Sequence, residues 1–158
     1  MIRSENIRTL LIGLGILAIQ IVLFRNLRIF DAEADLVLVF IIWLCTKRNK
    51  TESLLFAALF GLLQDSLTDL WGINMFSKTL IVFILHGYLN RISENRFIFW
   101  QIFLMILVIA FLHNLIFLGV SSFSDVYATD YFVWSLLIIS SLFTGILGSF
   151  LHVVRQDS

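Results

Sequence analysis

The sequence has no proline, a single cysteine and few charges. Without proline, any kink in a helix has to come from glycine or from polar side chains. The lone Cys45 has no partner for an internal disulfide. No CxxC pair occurs, which excludes zinc and iron-sulfur sites of the usual spacing. Cys45 stands beside Thr46-Lys47-Arg48 and reads as an inert thiol on the cytoplasmic side. Charged residues fill 14% of the 158 positions and hydrophobic ones 59%; a soluble domain carries about 25% charge. A chain this apolar cannot keep its surface in water, so lipid is its solvent. Lysine plus arginine balance aspartate plus glutamate at 11 each. With no basic excess, no nucleic-acid partner is expected.

Catalytic signatures are missing as well. There is no Walker motif, no G-x-S-x-G, no HExxH and no dinucleotide fingerprint. The histidines His86, His113 and His152 are not spaced as a metal pair on one helix turn. Neither a catalytic residue, a cofactor nor a metal ligand is expected, and the chain does not read as an enzyme. No polar stretch is long enough for a soluble domain, so residues 1–158 read as one transmembrane helical domain. The N-terminal apolar run meets Arg25 without an A-x-A cleavage site, the pattern of a retained helix rather than a signal peptide.

What is present is a set of six apolar segments, at 7–24, 36–46, 54–70, 73–89, 97–120 and 131–154. None shows the period-two alternation of a membrane barrel. Helices are then the spanning solution, because lipid cannot satisfy an exposed backbone. With six spans and the N-terminus inside, Arg3, Arg8, Lys47, Arg48, Lys50, Arg91, Arg96 and Arg155 fall on the inner side, eight of the 11 basic residues. Arg25, Arg28 and Lys78 fall outside. Segment 36–46 is short for a span of about 20 residues. A five-span chain with its N-terminus outside places equally many basic residues inside. Six is preferred, since Lys47 and Arg48 can snorkel and a locally thinned bilayer tolerates a short helix. Both arrangements put residues 60–80 and the loop with Asp125 and Asp130 on the outer side.

Residues 60–80, FGLLQDSLTDLWGINMFSKTL, hold the one dense polar cluster, without a credible nucleophile–base pair. Ala57, Gly61 and Asp65 repeat at four-residue spacing, which puts two small residues and a carboxylate on one helix face. A carboxylate there needs a partner; Lys78, Asn74 and the amides of the Trp71-Gly72 turn are the candidates. Asp69 reads as interfacial and Trp71 as an interfacial anchor. Gly61, Asp65, Asp69, Gly72, Asn74 and Lys78 together form a candidate hairpin that is structural or binds a partner. Ser141, Gly145 and Ser149, flanked by Thr144 and Gly148, form a second close-packing face. It is expected to pack within the bundle, with the third helix as one candidate neighbour. His113-Asn114 reads as a buried interhelical hydrogen-bonding pair. Residues 25–35 read equally as a solvated loop or an amphipathic interfacial piece.

The N-terminal helix, a short second helix introduced by Asp35-Leu36-Val37-Leu38, the basic turn and then AALFGLLQDSLTDLWGINMFSKTLIVFILHGYLNR together resemble the MreD family of bacterial rod-shape-determining proteins. The resemblance rests on Gly61-Leu62-Leu63-Gln64-Asp65, Gly72-Ile73-Asn74 and Gly87-Tyr88-Leu89-Asn90-Arg91. Those motifs lie within residues 54–91, while the segment layout is similar over nearly the whole chain. Ala34 and Trp71 stand in regions where the family often has proline. The resemblance implies a helical bundle similar to the substrate-capture subunits of energy-coupling-factor transporters. It also implies a non-enzymatic inner-membrane subunit of the elongation machinery that binds MreC. MreB, RodA and a class B penicillin-binding transpeptidase are implied as members of the same complex. The alternative from another class is a vitamin-type capture subunit that holds a polar ligand in the 60–80 cluster.

Overall fold

A computed structural model describes residues 4–24, 32–92, 99–123 and 133–156. These residues form six helices. They are α1 (Ser4–Ile19), closing on a π-helical turn (Gln20–Phe24); α2 (Leu36–Lys47); α3 (Lys50–Thr68); α4 (Ile73–Ile92); α5 (Phe99–Ser121); and α6 (Ser141–Gln156), entered through a second π-helical segment (Ser135–Ser140). The expected segments all find their helix. The third begins a turn earlier than its apolar run, because the Asn49 side chain accepts the Glu52 amide and caps α3. The loop with Asp125 and Asp130 lies outside the described residues, as do positions 25–31.

The shortness of α2 goes with its burial among the other helices. At 1.5 Å per residue, its 12 residues reach about 18 Å, well short of a hydrocarbon core about 30 Å thick. Eight of those residues are buried, and the helix touches each of the other five. A helix that is apolar all round belongs in a protein interior. Surrounded by neighbours, α2 has no need to match the bilayer. Phe40 on α2 meets the fully buried Phe60 of α3 edge-on at 5.5 Å between ring centres, and Leu38, Ile41 and Leu44 fill the space around them.

Around this axis, α3 packs most extensively on α4, and α5 on α6. Glu5–Val22, Phe99–Ser121 and Ser135–His152 are long and apolar enough to cross a membrane. α3 and α4 have comparable lengths but carry more polar residues. Those residues point inward: Gln64, Asp65, Asn74, Lys78 and His86 are buried, while Leu55, Leu62, Leu67, Phe83, Ile84 and Tyr88 are exposed. The usual sidedness of a soluble bundle is thereby inverted. This is the arrangement expected where the surrounding solvent is hydrocarbon.

The bundle has two chemically distinct ends. One carries Arg8, Lys47, Arg48, Lys50 and Arg91. The other carries the 69–72 turn and the Ser135–Ser140 segment. Among the described side chains, the turn end exposes no lysine or arginine; its one cation, Lys78, is wholly buried. Lys78 therefore leaves the tally of outer surface charges used to read orientation.

Candidate functional site

The turn joining α3 to α4 is built by Asp65. Its backbone carbonyl accepts the amides of Asp69 and Leu70, ending α3. Asp69 takes the left-handed conformation there (φ 59°) and Gly72 follows at φ 84°. Aspartate tolerates that region and glycine enters it freely. The Asp65 side chain reaches across to the start of α4. Oδ1 accepts the Asn74 backbone amide and the Asn74 side-chain amide, both at 3.0 Å, and Oδ2 accepts the Met75 amide at 2.9 Å. A carboxylate on one helix thus satisfies orphan amides at the positive end of the next. Gly61 permits the approach. A Cβ there would lie 2.5 Å from Met75 Cα and 2.8 Å from Met75 N. Both are backbone atoms, so nothing can swing aside.

Lys78, one turn into α4, does not pair with Asp65. Its ammonium donates to Asp35 Oδ2 at 2.6 Å, Asn74 Oδ1 at 3.1 Å and His113 Nε2 at 3.4 Å. All three ammonium protons are thereby used. Asn74 links Asp65 to Lys78, giving its amide to the carboxylate and its carbonyl to the ammonium. The Trp71-Gly72 amides expected as partners of Asp65 are not used for it: Gly72 donates locally to the Leu70 carbonyl at 2.7 Å. Trp71 is 94% exposed.

For residues 32–35, the described part of the segment read as a solvated loop or an interfacial piece, Asp35 corrects the solvated-loop reading. It is buried, and so are Ala32 and Ala34 before it. Oδ1 of Asp35 accepts the Leu38 amide at 2.9 Å and caps α2. Gln20, from the π-helical turn after α1, accepts the Val37 amide at 2.8 Å. The Asp35 amide donates to Thr144 Oγ1 at 3.0 Å, and Ser140 Oγ donates to the Glu33 carbonyl at 2.7 Å. Irregular backbone deep in a bundle needs such partners. The backbone of residues 32–35 obtains them from α6 and the π-helical segment, and the Asp35 side chain obtains Lys78 of α4.

The network continues through α5. Since Lys78 can only donate, His113 Nε2 is the acceptor and the ring proton resides on Nδ1. Nδ1 then donates to Asn114 Oδ1 at 3.3 Å. That fixes the Asn114 amide, which donates to the Leu136 carbonyl at 2.9 Å and Ser141 Oγ at 3.0 Å. The Leu136 carbonyl lies within a π-helical segment, whose widened turn leaves backbone groups free for outside partners. His113-Asn114 is therefore the interhelical pair expected, and it also extends the reach of Lys78.

The second small-residue face lies against α5 and α2 rather than α3. A Cβ on Gly145 would lie 3.2 Å from the Phe103 ring and 3.3 Å from Leu107 Cβ; one on Gly148 would meet Ile106 and Val39 at 2.9 and 3.0 Å. Ser149 is fully buried and returns its hydroxyl to the Gly145 carbonyl at 2.7 Å. Ala57, also fully buried, faces the core.

At the basic end, Arg48 sits 3.5 Å from both Glu5 and Glu52 and donates to Thr9 at 3.2 Å. His86 donates to the Arg48 carbonyl at 2.9 Å. This joint ties the α2–α3 turn to α1 and α4. This joint was not foreseen from the sequence, nor were the long-range partners of Asp35, Gln20 and Thr144. Only Asp35 carried a local signal, its position as the cap of a helix.

Among the described residues, no group of three or more His, Cys, Asp or Glu is placed to hold a metal ion. Asp35, Asp65, Asn74, Lys78, His113 and Asn114 are spent on one another or on backbone groups, whereas the buried Gln64 Oε1 has no hydrogen-bond partner. A family model described as rod shape-determining protein MreD matches residues 6–154. No curated protein and no solved structure matches the chain.

Proposed function

The chain belongs to the MreD family of rod shape-determining membrane proteins, and from that premise we propose that it serves as a non-enzymatic scaffold of the bacterial inner membrane. In this reading all six helices lie in the bilayer, with the basic end in the cytoplasm and the 69–72 turn outside. The protein binds MreC through helix faces and short loops. Through MreC it works with MreB, RodA and a class B penicillin-binding transpeptidase to coordinate lateral wall synthesis.

The observation that carries the reading is the commitment of the polar cluster. Asp65, Asn74, Lys78, Asp35, His113 and Asn114 each satisfy another part of the fold. Catalysis needs convergent groups with capacity to spare for a substrate. A scaffold needs helices held in fixed relation, and this arrangement supplies that.

Co-purification tests it. Tagged protein in mild detergent is expected to retain MreC. Asp65→Ala, which frees the start of α4, is expected to lower MreC recovery and disturb rod shape. Full MreC recovery and normal cells with Asp65→Ala would contradict the proposal. A vitamin-type capture subunit would instead give ligand-dependent thermal stabilisation, about 2.7 kcal/mol at 100 times the dissociation constant.

A further inference from the structure

We propose that residues 32–35 are a clasp across the seam between the α3–α4 and α5–α6 hairpins, and that releasing it opens the turn end of the bundle while the basic end stays closed.

The two hairpins are sealed internally by contacts that have no substitute. In the first, Gly61 lies against the Met75 backbone. In the second, Gly145 and Gly148 lie against Phe103, Leu107 and Ile106. Such close packing is the principal attraction between helices in lipid. The seam between the hairpins is different at the turn end. There a polar contact supplements the packing of α4 on α5, that of Lys78 with His113, the longest bond of the ammonium at 3.4 Å.

Across this seam lies the segment 32–35. Its Asp35 carboxylate holds α4 through Lys78, while its backbone holds the other hairpin through Thr144 and Ser140. Asp35 is also tied to α2, its carbonyl accepting the Val39 amide at 3.2 Å and its carboxylate the Leu38 amide. What reaches from the segment to the two hairpins is its bonding to Lys78, Thr144 and Ser140. At the α6 side the attachment falls on the π-helical segment and the first turn after it, where the helical ladder is already widened. Polar bonds of this kind can be exchanged for water or for another chain's polar groups. Apolar contacts between close-packed helices offer no such exchange, so the turn end is the one with two accessible arrangements. The basic end is held by apolar packing across the seam, with Leu89 of α4 and Ile102 of α5 buried in the core. Arg48 and His86 tie α1 and the α2–α3 turn to α4. The inference is independent of which partner the protein binds.

The test uses the full chain in nanodiscs, with spin labels at two pairs of exposed positions. Phe76→Cys on α4 with Ile138→Cys in the π-helical segment reports on the turn end. Tyr88→Cys on α4 with Phe150→Cys on α6 reports on the basic end. Asp35→Asn is the obvious release, but it strands a buried ammonium and can prevent folding. Ser140→Ala with Thr144→Val cuts the α6 side of the clasp without unbalancing charge, and that variant decides. A 76–138 distance distribution shifted to longer values and broadened, with 88–150 unchanged, is the expected result. An unaltered 76–138 distribution overturns the proposal. So does equal broadening at both ends, which would mean general loosening rather than release of a clasp.

Discussion

The Lys78 ammonium lies 2.6 Å from the Asp35 carboxylate, with no exposed surface on the lysine side chain. The two residues are 43 positions apart, and they join α4 to the segment that starts α2. A charge at such a place persists only with its counter-charge.

Removing one member of this pair is therefore worse than removing both. Lys78→Met leaves Asp35 unpaired, and Asp35→Asn leaves Lys78 unpaired; each is expected to cost about 3–5 kcal/mol. The double variant is expected to recover a substantial part of that loss. A double-mutant cycle from unfolding in a defined detergent measures the coupling. Strict additivity of the two single losses would show that the pair does not act as a unit.

Asp65→Ala is expected to remove protection from the first amides of α4 specifically. Asn74 and Met75 lose the acceptor that satisfies them, and a buried donor left without a partner costs about 1–3 kcal/mol. Hydrogen exchange of these two amides should accelerate, while the amides of α5 exchange as before. Unchanged exchange at Asn74 and Met75 would mean that the carboxylate is not their cap.

The glycines divide by what a side chain would meet. Gly61→Ala drives a methyl into the Met75 backbone and is expected to destabilise by about 1–3 kcal/mol, the usual cost of overpacking. Gly15→Ala, with nothing within 4 Å of the new Cβ, is expected to be neutral or slightly stabilising, since alanine is the better helix former. Thermal inactivation of the two variants in the same detergent compares them directly.

Orientation can be read with a membrane-impermeant thiol reagent. Trp71→Cys at the turn end should react in intact spheroplasts, and Thr51→Cys at the basic end only after permeabilisation. Both positions are exposed, while the native Cys45 is fully buried and contributes little background. Reaction of Thr51→Cys from outside would reverse the proposed topology.

The helices and their polar turns were legible from local pattern. Apolar runs, the Gly61–Asp65 spacing and the glycine after Trp71 all act within a few residues of one another. Asp65 with Asn74 could be foreseen because the hairpin brings them together. The partner of Lys78 could not, because nothing local relates position 78 to position 35. Nearness in sequence favoured Asp65 as the partner, and the fold placed Asn74 between them. Likewise, the short second segment signalled burial as much as a thin bilayer, and length alone does not separate the two. The face from Ser141 to Ser149 announced close packing, but small residues do not name the helix that approaches them.

The most direct measurement is the mass analysis of everything that leaves with the tagged protein in mild detergent, soluble metabolites and polypeptides in the same eluate. The account predicts MreC and wall-synthesis proteins, with no metabolite near one per chain. A stoichiometric small molecule in an eluate without MreC would contradict it.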